Sequence, residues 1–235
     1  IAVFAVLAAV AVVSSSVANA SHSWGRYHWA RKSNPFTLKL GDNVSTVWDS
    51  HLAGASTDWN VSSVLDTTIV TGQAGADCLP VNGRVEVCNK AYGDNNWLGI
   101  AQIWVARGSH ITKGVTKMND TYFNNPPYNT AAWRELVICQ EIGHTFGLNH
   151  QDENFNNANL GTCMDYTSDP DGTLADPDQL SNEHPNTHDY AQLGTIYTHL
   201  DKITTIAQTI SNFGFGNRSE KAEKIDLEDP SAWGQ

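Results

Sequence analysis

A mixed α/β fold of the α+β kind is predicted by three features of the chain. Short alternating or β-branched runs fill its first half, a long helical pattern spans 131–147 with another starting near Thr187, and polar, turn-rich stretches separate these elements. The 235 residues, 40% hydrophobic and 17% charged, suffice for one sizeable domain with a packed core. A formal net charge of −11 sets the chain against nucleic acid and anionic membrane surfaces, which would repel it at long range. Peptides, proteins and small neutral molecules are left as partners.

Residues 1–20, "IAVFAVLAAVAVVSSSVANA", are uncharged, apolar over the first thirteen positions, and end in the small-x-small sequence Ala18-Asn19-Ala20. They read as a secretory signal peptide, N-terminally truncated because no basic segment precedes it, and too short in its apolar part to span a bilayer. An irregular, polar and aromatic arm is expected over 21–35. "FTLKL" alternates as a half-buried strand ending at the Gly41-Asp42-Asn43 turn, and Val44, Val47, Trp48, Leu52, Ala55 and Trp59 fall at helical spacing over 44–60. "SVLDTTIVTG" and "WLGIAQIWVA" read as strands, and "HITKGVTKMNDTYF" as an edge strand or a bulged pair.

"NNPPYN" breaks the chain before Thr130, a plausible N-cap for "AAWRELVICQEIGHTFGL", which Gly147 would end. Residues 149–187 are rich in Asn, Asp, Gly and Pro and read as loop. The last helix starts near Thr187 or His188, with Tyr190, Leu193, Ile196, Tyr197, Leu200 and Ile203 on one face. The main domain is expected over 36–212 and a polar, flexible tail over 213–235.

Chemistry concentrates in "CQEIGHTFGLNH". On a helix, Gln140 and His144 are four apart and share a face, Glu141 is one step round, and a left-handed Gly147 would turn the chain so that His150 approaches the same point. Four cysteines with an exported destination imply two disulfides, with three connectivities possible; Cys78–Cys88 would close the turn-rich "CLPVNGRVEVC" loop. Sequons occur at Asn43, Asn60, Asn119 and Asn217.

The series Gln140, Glu141, His144, Gly147, His150 resembles the metzincin zinc-peptidase signature, with glutamine where the first histidine ligand stands. "CMDY", Cys163 to Tyr166, resembles the Met-turn of that family, including the tyrosine two residues after the methionine seen in its astacin and serralysin branches. The resemblance covers roughly residues 36–205 and implies a metzincin-like mixed twisted sheet, an active-site helix, a Met-turn and a C-terminal helix. It further implies one catalytic Zn²⁺ held by His144, His150 and, weakly, Gln140, with Glu141 as general base, Tyr166 as oxyanion donor or alternatively a core tyrosine, and Met164 packed beneath the metal.

Glutamine offers zinc only a neutral carbonyl oxygen, a poorer donor than imidazole, so metal affinity should fall while the ion stays electrophilic. His188 is the first candidate to compensate, ahead of Asp152, His184 and Asp189. A Cys139–Cys163 bridge would tie the helix to the turn under the metal. The acidic loop carrying Asp169, Asp171, Asp176 and Asp178 has hard oxygens for Ca²⁺ but lacks the EF-hand pattern. The expectation is a secreted, monomeric, zinc-dependent endopeptidase that hydrolyses peptide bonds in peptide or protein substrates through a metal-activated water. The alternative is a secreted binding protein that keeps the scaffold with weak or no turnover.

Overall fold

The computed structural model describes residues 21–174, 179–206 and 223–227, so the signal segment 1–20 and two acidic-loop residues, Asp176 and Asp178, lie outside the described residues. Seven strands form one mixed sheet: β1 (His28–Trp29), β2 (Phe36–Asn43), β3 (Leu65–Thr71), β4 (Val85–Lys90), β5 (Gly99–Ala106), β6 (His110–Asn119) and β7 (Glu223–Leu227). Their order is β3-β2-β4-β6-β5-β7, with β1 also pairing β6. All pairs are parallel except β5 with β6 and β5 with β7. Four helices are described: α1 (Asp49–Trp59), α2 (Asp120–Phe123), α3 (Ala131–Thr145) and α4 (Thr187–Ile196). The architecture is the mixed α/β one that the sequence predicts.

Strand β2 buries Phe36, Leu38 and Leu40 while exposing Thr37 and Lys39, the alternation of a sheet covered on one face at that point. Helices α1 and α3 pack together, α1 against β3 and α3 against β5 and β6. Trp48, Trp59, Leu52, Leu136, Ile138 and Ile142 join the core between these layers. None of the described helices is long and apolar enough to cross a membrane.

Several elements differ from expectation for identifiable reasons. "VEVCNK" is not part of a turn-rich loop but strand β4; Val85 to Cys88 are all buried, so no alternation marks them, and Glu86 interrupts the apolar run. That carboxylate is tolerated because Arg84 Nε lies 2.6 Å from its Oε1, in space left by the missing side chain of Gly41. Residues 110–119 form an interior strand rather than an edge, while the bulged pairing given as the alternative is present: the register passes from Trp104↔Lys113 to Val105↔Ile111 and skips Thr112 of β6. Within the irregular arm, His28 and Trp29 pair with β6, and within the polar tail residues 223–227 form β7. Helix α1 starts at Asp49 because the segment before it is held in a turn, with Val44 N–H donating to Asp42 Oδ1 and Ser45 N–H to Asn89 Oδ1. Helix α4 stops at Ile196, short of Leu200 and Ile203, as the chain there turns to meet the arm: Asp201 N–H donates to Arg31 O and Thr205 N–H to Ala30 O.

The C-terminus of α3 is buried, so its carbonyls must find donors inside the protein. Trp29 Nε1 donates to Thr145 O at 2.9 Å, the Tyr197 hydroxyl to Phe146 O at 2.8 Å, and Trp24 N–H to Gly147 O at 2.7 Å. Burial pushes the Tyr197 phenol well above its ordinary range, so it stays a donor at any working pH. Tyr197→Phe would leave Phe146 O without this donor in the core. It should lower stability by about 1–3 kcal/mol, read as a shift of the urea midpoint with an unchanged slope.

Candidate metal centre

Thr130 Oγ1 accepts from Trp133 N–H and starts α3. Two and a half turns later the helix delivers Gln140, Glu141 and His144, all buried. Gln140 Nε2 donates to Cys163 O at 2.9 Å, which fixes the amide, while its Oε1 is buried with no hydrogen-bond partner among the described residues. A buried orphan acceptor of this kind costs about 1–3 kcal/mol unless something electropositive meets it.

Gly147 has φ of +96°, the left-handed conformation that a helix end requires for an abrupt reversal. A Cβ there would lie 2.2 Å from Tyr27 O, so the arm occupies the space that any other residue would need. The reversed segment is pinned by Ser23 bridging Leu148 and by Asn149 N–H donating to His22 O at 2.6 Å. His150 thereby comes to face His144, with Nε2 atoms 3.0 Å apart.

The tautomers follow from the outer partners. His144 Nδ1 faces Leu148 O at 2.9 Å, and a carbonyl only accepts, so Nδ1 carries the proton and Nε2 presents a lone pair. His150 Nδ1 faces Glu153 Oε1 at 3.2 Å, which commits its proton in the same way. Two lone pairs at this distance need a proton or a metal cation between them. Burial first, then the nearby His150, holds the His144 imidazole well below its ordinary pKa, which favours the neutral, ligand-competent ring. Two nitrogens bound tetrahedrally to one zinc ion at about 2.0–2.1 Å sit about 3.3–3.4 Å apart, so a shift of a few tenths of an ångström admits the ion. The donor set therefore fits zinc: two imidazole nitrogens, and an orphaned amide oxygen one helical turn before the first of them.

Glu141 is packed against β5, its Oε1 2.6 Å from where a Cβ on Gly99 would be, and burial raises its carboxyl well above the ordinary value. Tyr166 lies beside His150 with ring centroids 4.3 Å apart and is stacked on Phe155 at 4.9 Å. Met164 is buried under the helix, its sulfur 2.7 Å from the Cβ position of Gly143. Both disulfides, Cys78–Cys88 and Cys139–Cys163, are formed. The second, with the Gln140 bond to Cys163 O, clamps α3 to the 163–166 turn.

The other candidates have partners of their own. His188 stacks on His22 and groups with His22 and Asp189, and no cluster of three described His, Cys, Asp or Glu side chains joins it to His144 and His150. His184 pairs with Asp58 at 2.7 Å. Asp152 Oδ1 accepts from Asn154 N–H, and Asp189 accepts from Thr162 Oγ1. Asp169 accepts from Thr173 and Leu174 N–H, and Asp171 from the Thr173 hydroxyl, so these carboxylates close their own loop. Asn119 is buried, with Oδ1 accepting from Tyr92 and Thr121 N–H, which removes it as a glycan acceptor in the folded chain. Sequence reasoning missed the part played by His22, Trp24 and Tyr27. Their only signal was the density of histidine and aromatic residues in "SHSWGRYHW".

No family model matches the chain, and no curated protein matches it. Among solved structures it is similar to high choriolytic enzyme 1, a hatching enzyme zinc-protease from Oryzias latipes (medaka fish), at 12% identity over 73% of this chain and 94% of that one, with a TM-score of 0.40. It is also similar to myroilysin in two structures, at 10% identity over 75% and 98% with a TM-score of 0.41, and at 9% over 79% and 98% with a TM-score of 0.37. The chemistry of the centre rests on its own side chains.

Gly147→Ala would meet both the left-handed backbone and Tyr27 O. It should cost about 1–3 kcal/mol from the clash and a further 1–2 kcal/mol or so from the backbone. Thermal unfolding would show this as a lowered Tm, with zinc binding weakened as His150 is displaced.

Proposed function

We propose that this chain is a secreted zinc-dependent endopeptidase, with His144, His150 and Gln140 as ligands and Glu141 as general base. The observation that carries the reading is the pair of His144 and His150 Nε2 atoms facing one another across 3.0 Å, with a buried, orphaned Gln140 Oε1 on the same helix one turn before His144. When bound, zinc supplies Lewis acidity, polarising the scissile carbonyl and lowering the pKa of water at the centre. The chain's own groups do the rest. Glu141 takes a proton from the attacking water and returns it to the leaving amine, and burial gives its carboxylate a higher proton affinity than it would have in water. Tyr166, whose ring lies against His150, is the residue assigned to donate its phenol to the developing oxyanion. The apolar segment 1–20 and two disulfides support export, and the charge of −11 supports a peptide or protein substrate over nucleic acid.

Glutamine reproduces the polarity of a histidine ligand: its N–H₂ is spent on Cys163 O, leaving the oxygen as a donor atom in another direction. It is neutral and weak, so occupancy rather than electrophilicity is the vulnerable property.

Two measurements test this reading on casein as a generic substrate. Glu141→Gln should lower kcat by about 10²–10⁴-fold with zinc content unchanged; undiminished hydrolysis would reject Glu141 as the base. Gln140→His should tighten zinc binding, by titration against a competing chelator, in a protein that is already active before the substitution. If the parent protein is inert and Gln140→His creates activity, the chain is instead a binding protein on a peptidase scaffold.

A further inference from the structure

A second constellation gathers where the arm pairs with β6. The parallel register of β1 with β6 sets His28 beside His110, and their rings meet edge to face with centroids 5.0 Å apart. Two further residues, His199 and Asp201, come from the segment after α4. Asp201 divides its oxygens: Oδ2 accepts from Arg31 N–H at 3.2 Å and Arg31 Nη1 at 3.1 Å, while Oδ1 faces three imidazoles. The distances from Oδ1 are 3.3 Å to His110 Nε2, 3.6 Å to His28 Nε2 and 3.7 Å to His199 Nε2, and His199 Nε2 is 3.3 Å from His28 Nε2.

An ion would resolve the charge balance of this arrangement. Were the three rings protonated, one carboxylate would face three cations in addition to Arg31. Neutral rings would each have to turn an Nε2–H toward that oxygen to avoid setting a lone pair against it. His28 settles its own case, since Nδ1 faces Arg26 O at 2.9 Å and so holds the proton, leaving Nε2 as a bare donor atom. The ligand atoms of His28, His110 and Asp201 lie within 4.8 Å of one another. Tetrahedral ligands at about 2.0–2.1 Å from zinc are themselves about 3.3–3.4 Å apart, close to the observed spacings. Side-chain exposure is 7% for His28, 18% for His110 and 8% for Asp201 against 56% for His199, so three ligands are held by the fold and the fourth closes from solvent. A cavity of about 550 Å³, lined in part by Arg26, His28, Arg107, Ser109 and His199, gives an ion access.

We propose a second zinc site, held by His28, His110 and Asp201 Oδ1 with the exposed His199 drawn in as fourth ligand, that fastens the N-terminal arm and the segment after α4 to β6. The nitrogen-rich set selects zinc over calcium or magnesium, and closure of the fourth position by His199 assigns it a structural part. It also bears on the first centre, because the fastened arm supplies Tyr27 and Trp24 to the Gly147 turn.

The test is zinc per chain by elemental analysis of the full protein after gel filtration, for the parent, His144→Ala, His199→Ala and His110→Ala. Two ions are expected in the parent and one in each variant. In His144→Ala, added zinc should still raise Tm, and His199→Ala in that background should bind it at least about tenfold more weakly, since a lost ligand costs no less than a lost outer partner. His199 is exposed, so this variant keeps the test valid if His110→Ala does not fold. A single ion in the parent that disappears in His144→Ala and is retained in His199→Ala would overturn the second site while leaving the first intact. The converse pattern would overturn the first and leave the second.

Discussion

The last carbonyls of α3 are where the molecule's parts meet. A helix that ends inside a protein has acceptors that water cannot reach. Here Trp29, Tyr197 and the Trp24 amide each supply one donor, and they come from opposite ends of the chain. The same contacts determine where His150 goes. With Trp24 on Gly147 O and Tyr27 O against the Gly147 Cα, the chain has one available path out of the helix, and that path returns His150 to His144. Geometry at the candidate centre is thus a property of the N-terminal arm as much as of the helix that carries the motif.

Beneath the helix a second set of polar contacts fixes the other wall. Asn186 caps α4 and exchanges bonds with Asp189, whose carboxylate also meets His22 Nε2 at 3.0 Å and the Thr162 hydroxyl at 2.5 Å. Thr162 Oγ1 in turn accepts from Met164 N–H. The arm, α4 and the 163–166 turn therefore share one buried carboxylate, and the Cys139–Cys163 bridge joins α3 to them covalently. A ligand set containing a neutral amide gains little enthalpy from its weakest member, so a preformed, cross-linked cage is the physical means of limiting the entropy lost on metal binding.

What was legible in the sequence was local. Thr130 as N-cap, the Gly147 stop and the alternation in β2 all depend on neighbours within a few residues, and each appears in the structure. The pattern around Gln140 was legible for the same reason, because four-residue spacing on a helix is a fixed geometry. What stayed hidden depends on distant partners. Strand β4 is buried on both faces and carries a charged residue whose counter-ion makes it admissible, so neither alternation nor hydrophobicity reported it. His28, His110, His199 and Asp201 are spread over more than 170 positions, and only the register of β1 on β6 and the turn after α4 bring them together.

Arg31 shows how the two centres depend on one another. It is fully enclosed, and besides Asp201 its guanidinium donates to Asn34 Oδ1 at 3.1 Å, Tyr197 O at 2.6 Å and the carbonyl of His199. A guanidinium cannot shed its proton, so its burial demands a permanent anion, and Asp201 Oδ2 is that anion. With one oxygen held by Arg31, the other is forced toward the histidines, whatever occupies the space between them. The Tyr197 backbone that Arg31 grips also belongs to the residue whose hydroxyl closes the end of α3. A change in how the arm is fastened at Asp201 is therefore conveyed through Arg31 and Tyr197 to the helix end that positions His144 and His150, through buried contacts with little freedom to absorb it.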